Sequence, residues 1–174
     1  MNVRRFPGLI SLLAMTAALP APALAAQTPA AATSLRPLLA HSSWLGIRAS
    51  AASLHGKVVL VDVFTFDCIN CQNVTPHLRA LYRTRGTDLA IVGVHTPETP
   101  YERERANVVA NLAKQGVVWP VAIDNDEMLW NAYGVAAWPT ELIFDRHGTL
   151  RKTVVGDSQG ALVDATVKQL LAER

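Results

Sequence analysis

Cys68 and Cys71 are the only two cysteines in the chain, and the spacing Cys68-Ile69-Asn70-Cys71 is that of a redox dithiol. Residues i and i+3 share a helix face, so the two sulfurs can meet if a helix starts here. A helix N-terminus carries unpaired N–H groups and partial positive charge, which favours thiolate at Cys68 and marks it as the nucleophile. Cys71, one turn inside, is then the resolving thiol that attacks a mixed disulfide on Cys68. A structural disulfide is the weaker reading, because closing a four-residue loop restrains the unfolded chain by only about 2 kcal/mol. A structural zinc site wants four ligands, and no second cysteine pair exists. Six residues upstream, Asp62 lies inside the apolar run VVLVDVF. It is either a strand acid turned to solvent or a buried carboxyl of raised pKa that exchanges a proton with Cys71.

The elements around these residues are legible as an alternation. The run KVVLVDVFTF is β-branched and apolar, as a strand buried on both faces should be. Val74, Leu78, Leu81 and Tyr82 then recur at helical spacing to Arg85, with Gly86 as a stop. A strand at 89–94, a proline turn and a helix over Tyr101 to Gln115 follow. Val117 to Ile123 reads as a short strand with Pro120 at an edge or bulge, and Asp124-Asn125-Asp126 as the cap of a helix closed by Gly134. Asp145 to Gly148 is a turn signal between two strands, and Ala161 to Leu171 is a closing helix. The pattern predicts an α/β fold with a mixed sheet.

VLVDVFTFDCINC resembles the active-site strand and motif of the thioredoxin superfamily. AIVGVHTPE (90–98), WPVAIDND (119–126) and AWPTELIFDRHG (137–148) are similar to its exported TlpA-like branch, and most of all to DipZ-like domains. The resemblance, which runs from Trp44 to Leu171, implies a thioredoxin-like fold: a mixed central sheet sandwiched by helices, with the extra strand-helix insertion of the TlpA type. It implies that Asp62 is the buried acid, that Pro76 kinks the active-site helix, and that Pro139 is cis and lies against the dithiol. Trp138 would then wall a substrate groove beside Ile69 and Asn70, its alternative being an ordinary core aromatic. Trp44 to Leu54 is expected to form an edge hairpin beneath the domain. The implied activity is thiol–disulfide exchange without a cofactor or metal, by a monomer acting on protein disulfide or thiol clients and supplied by a membrane-bound electron donor.

Two other functions compete. Thr65-Phe66-Asp67-Cys68 matches the T-x-x-C fragment of peroxiredoxins, although Val61 stands where their proline is expected. His95 and His77 could join the thiolates in a non-enzymatic copper site, since two sulfurs and an imidazole suit a soft metal.

A chain of 174 residues, half of them hydrophobic, has enough material for one globular core. Residues 1–25 combine a basic start, an apolar stretch and Ala23-Leu24-Ala25, the pattern of a secretory signal peptide, with an uncleaved anchor as the alternative. Residues 26–43 read as a linker or lead-in, and 44–174 as the domain. Cleavage would take Arg4 and Arg5 from 16 basic residues and leave 14 against 14 acidic ones, which removes the electrostatic footprint of nucleic-acid binding. The location expected is the periplasm. Ile69 and Asn70 bring no positive charge to Cys68 and Asp67 opposes its ionisation, so the dithiol should be a reductant rather than a strong oxidant.

Overall fold

The computed structural model describes Met1, residues 31–85 and residues 87–173. The signal peptide expected over 1–25 and the helix stop expected at Gly86 lie outside the described residues, Met1 apart. In chain order the elements are α1 (Arg36–Ala40), β1 (Trp44–Leu45), α2 (Ala51–Leu54), β2 (Val58–Phe64), α3 (Ile69–Arg85), β3 (Leu89–His95), α4 (Pro100–Arg103), α5 (Arg105–Gln115), β4 (Val121–Ile123), α6 (Met128–Ala132), β5 (Thr140–Phe144), β6 (Leu150–Val155) and α7 (Gly160–Ala172).

Six strands form one mixed sheet in the order β1-β4-β3-β2-β5-β6. β2 is central, parallel to β3 and antiparallel to β5, and every residue in it is buried. Side chains alternate between the faces of a strand, so the sheet is apolar on both sides and each side needs a cover. Val58, Leu60 and Phe64 face a layer built with Val74 and Leu78 of α3, Val108 and Leu112 of α5, and Val163 and Val167 of α7. Val59, Val61 and Val63 face the opposite layer, with Leu38 of α1, Leu54 of α2 and Leu129 of α6. By this alternation Asp62 belongs to the α3 face. The sandwich of helices on a mixed sheet agrees with the expected fold class.

Several local expectations change. Residues 31–43 are not a loose lead-in: Leu35 and Leu38 are buried, Ala32 N–H donates to the Ala132 carbonyl (2.7 Å), and Leu150 N–H donates to the Thr33 carbonyl (2.8 Å). The edge hairpin over Trp44 to Leu54 is instead a two-residue strand paired with β4, followed by a helical turn. Ser50 and Ser53 make a reciprocal capping box there, and two alanines favour helix after it. The helix expected over Tyr101 to Gln115 breaks at Glu104, whose extended backbone ends α4 and starts α5. Only Val121–Ile123 of the 117–123 run is strand, with Pro120 just ahead of it. Asp124 does cap α6, from outside its first turn, by accepting from Leu129 N–H (2.8 Å) and Trp130 N–H (2.9 Å).

Leu78 is fully buried where α3 meets the sheet. Leu78→Ala should cost about 3 kcal/mol, within the usual 2–5 for such truncations, read as a lower denaturant midpoint at unchanged slope. A loss below about 1 kcal/mol would mean that α3 is not anchored through this contact.

Candidate active site

β2 ends at Phe64 and α3 begins at Ile69, so four residues turn the chain from the core to the surface. The Cys68 carbonyl accepts the Gln72 N–H (3.0 Å), which places Cys68 at the N-cap of a 17-residue helix. Pro76 sits inside that helix and has no N–H for the Gln72 carbonyl.

Polar groups hold the turn. Glu102 of α4 is buried, and one of its oxygens accepts from the Thr65 hydroxyl and from Asp67 N–H (3.2 Å). Its other oxygen accepts from Glu98 N–H (3.0 Å), Thr99 N–H (2.8 Å) and the Thr99 hydroxyl (3.1 Å). Burial pushes this carboxyl up, but the hydrogen bonds from Thr65, Thr99 and Asp67 outweigh it and hold Glu102 below its ordinary value. The Phe66 carbonyl accepts from the side-chain amides of Gln72 (2.9 Å) and Gln115 (3.0 Å). The Phe66 ring stacks on His95 (5.4 Å between centroids, 16° between planes).

At the end of this turn Cys68 is half-buried, whereas Cys71 is buried, and both are free thiols. Burial, the hydrogen bond to the Cys68 sulfur and the nearby Asp62 carboxyl all push the Cys71 thiol far up, against a backbone hydrogen bond from Thr65. Ile69 and Asn70 are exposed beside Cys68, Ile69 by 67%. The Trp138–Pro139 peptide is cis; Pro139 is buried, and its carbonyl accepts the Gly156 N–H (3.0 Å). Trp138 is half-buried against the same apolar layer as Cys68, with its ring on Trp130 (4.5 Å) and its buried indole N–H unpartnered among the described residues.

Asp62 is buried, 6% exposed, so the solvent-facing alternative fails. Desolvation raises its pKa well above the ordinary carboxylate value, and the Glu141 charge raises it further. Glu141 stands directly opposite Asp62 in the β2–β5 ladder and is 2% exposed. Burial pushes it up to about 7. Sequence reasoning missed Glu102, Gln115 and Glu141. The T-x-x-E of Thr99 to Glu102 is a capping-box signature that could have flagged the first; the other two depend on register and tertiary contact.

His95 is fully buried, and desolvation lowers it to about 4 although Glu102 pulls the other way. His77 pairs at the surface with Asp164 (2.9 Å). Among the described residues, no group of three or more His, Cys, Asp or Glu is arranged to hold a metal ion.

A family model described as thioredoxin-like matches residues 56–150. The protein DipZ of Mycobacterium tuberculosis is 39% identical over 120 residues, covering 68% of this chain and 17% of DipZ. The chain therefore corresponds to a small part of that relative's length. The thiol-disulfide oxidoreductase YkuV of Bacillus subtilis is 24% identical over 137 residues, covering 78% of this chain and 93% of YkuV. A thioredoxin-like protein solved in its oxidised form superposes with a TM-score of 0.73 at 23% identity, over 81% of this chain and 96% of that one.

The raised Glu141 has a signed consequence for stability. Folded protein keeps a proton that the unfolded chain, with an ordinary value of 4.5, releases. This contribution to stability is full below about pH 4.5 and is lost as pH rises through about 7. Glu141→Gln, which cannot ionise, should therefore gain stability over the parent by on the order of 2 kcal/mol between pH 5 and pH 8.5 in urea unfolding. A difference independent of pH would mean that Glu141 is not held protonated by its burial.

Proposed function

The chain belongs to the thioredoxin-like family, and from that premise we propose that it is an extracytoplasmic thiol–disulfide oxidoreductase that reduces protein disulfides. The observation that carries the reading is the inequality of the two sulfurs. Cys68 stands half-exposed at the N-cap of α3, and Cys71 is buried one turn inside. The names of relatives such as YkuV support the same activity.

The Cys68 thiolate attacks one sulfur of a client disulfide, forming a mixed disulfide and releasing the other sulfur as a thiolate. Cys71 then attacks Cys68. The S–S bond to the client breaks, its electron pair leaves on the client sulfur, and Cys68–Cys71 becomes the disulfide. The client has gained two electrons and the dithiol has lost them; a dithiol donor, taken to be membrane-bound, must restore it. Cys71 cannot attack while its proton is held by burial, so a nearby base is required. Asp62 is that base: when ionised it takes the proton, and its raised affinity lets it return the proton in the reverse step.

Ile69, Asn70, Trp138 and the cis Pro139 would form the surface on which an extended client segment lies. Export is supported by the basic and apolar pattern of residues 1–25. Among the described residues no helix is long and apolar enough to cross a membrane.

Asp67, exposed beside Cys68, and the uncharged Ile69-Asn70 pair leave the Cys68 thiolate without a cationic partner between the cysteines. A strong oxidant needs a greatly stabilised thiolate, so the potential should lie nearer about −270 mV than about −120 mV. Equilibration with glutathione measures it, with dithiothreitol-driven reduction of insulin as the matching activity. A potential above about −160 mV would make the protein an oxidant of its clients and overturn the assignment as a reductase.

A further inference from the structure

The mechanism above uses Asp62 and leaves a second buried carboxyl unused. Asp62 and Glu141 are directly opposed in the antiparallel β2–β5 ladder, where side chains share a face and their Cβ atoms stand about 4.5–5.5 Å apart. That face is the dithiol face, since Leu60 and Phe64 flank Asp62, and Ile143 follows Glu141, in the layer that holds Cys71. Asp62 Oδ1 and Glu141 Oε2 are both buried without a hydrogen-bond partner among the described residues. On the other side of Asp62 stands Gly93, which presents no side chain to it; the Trp119 indole N–H lies 3.5 Å from where a Cβ would be.

We propose that Asp62 and Glu141 act as one carboxyl pair that shares a proton beneath the dithiol, with Glu141 as the positioning residue that governs how firmly Asp62 holds the proton it takes from Cys71. The proposal rests on the reading of Asp62 as the base. Two adjacent carboxylates in a desolvated layer cannot both ionise cheaply, so the pair gives up one proton before the other and retains the second. The shifts of both groups agree with this, both upward, with Glu141 acting on Asp62.

Among the described residues, the groups facing the pair offer no cation to relieve it. α3 presents Cys71 and, through it, Cys68. β3 presents Gly93 and then His95, which is held neutral by burial and lies against Phe64. β6 sets Val154 opposite Glu141, with Lys152 two positions on and exposed. α7 presents Val163 and Val167, and Glu102 is committed to the turn.

In the resolving step the singly protonated pair, with its shared proton passed to Glu141, accepts the Cys71 proton at Asp62 and becomes doubly protonated. The Cys71 electron pair forms the bond to Cys68, and the client sulfur leaves with the electrons of the broken bond. The extra proton then passes to that thiolate or to water, and the pair returns to one proton. When the Cys68–Cys71 disulfide is reduced, the order reverses.

Stopped-flow reaction of the reduced full chain with dithiobis-nitrobenzoate separates the steps, since the first thionitrobenzoate is released by Cys68 and the second when Cys71 resolves the adduct. The rate of the second release, followed from pH 5 to 9 in the parent, Glu141→Gln, Asp62→Asn and the double variant, is the test. The expected result is a slower second release in Asp62→Asn and, in Glu141→Gln, a midpoint moved to lower pH by about one pH unit. If Asp62→Asn slows it while Glu141→Gln superimposes on the parent, the pair is refuted and Asp62 stands as a lone base. If neither variant alters the profile, both the base and the pair fall. Should Glu141→Gln fail to fold, ¹³C-carboxyl titration of the parent decides. Two inflections shared by Asp62 and Glu141 support the pair, and single independent ones overturn it.

Discussion

The geometry of the dithiol turn depends on a buried carboxylate that is not part of the dithiol. Glu102 reaches from the first turn after β3 to the four-residue turn between β2 and α3, and its two oxygens accept bonds from both segments. A turn of that length beside an apolar core would otherwise leave backbone donors unsatisfied at a cost of about 1–3 kcal/mol each. With the turn fixed, Cys68 is presented at the helix N-cap and the Thr65 backbone reaches Cys71. The segment carrying α4 is thereby part of the frame of the dithiol turn.

From that frame the sulfurs acquire opposite surroundings. One sits at the positive end of α3 near solvent, and the other lies inside the apolar layer formed with Val74, Leu78 and the sheet. Desolvation dominates there. It raises Cys71, Asp62 and Glu141 together and pushes His95 the other way, toward its neutral form. A layer in which Cys71, Asp62 and Glu141 all favour the protonated form holds protons tightly and passes them only between neighbours, which is what the proposed resolving thiol in a dry site requires.

Much of this could be read from the residues. The Cys68–Cys71 spacing, the apolar run around Asp62 and the Asp145–Gly148 turn each carry local signals, and the helix, the central strand and the β5–β6 hairpin stand where those signals put them. The lead-in was opaque because five helical residues are too few to show a period, although Leu38 is wholly buried. The break at Glu104 is a single extended residue inside an otherwise helical composition. Glu141 looks like any acid near the start of a strand; only the register that sets it against Asp62 gives it meaning, and register between strands nearly eighty residues apart is a property of the folded sheet.

The central claim is that burial divides the dithiol into an accessible nucleophile and a protonated resolver. It is tested most directly by treating the reduced protein at neutral pH with a limiting amount of iodoacetamide and mapping the labelled peptides. The account predicts that Cys68 carries nearly all of the label while Cys71 remains unmodified. Equal rates of alkylation at Cys68 and Cys71 would contradict it.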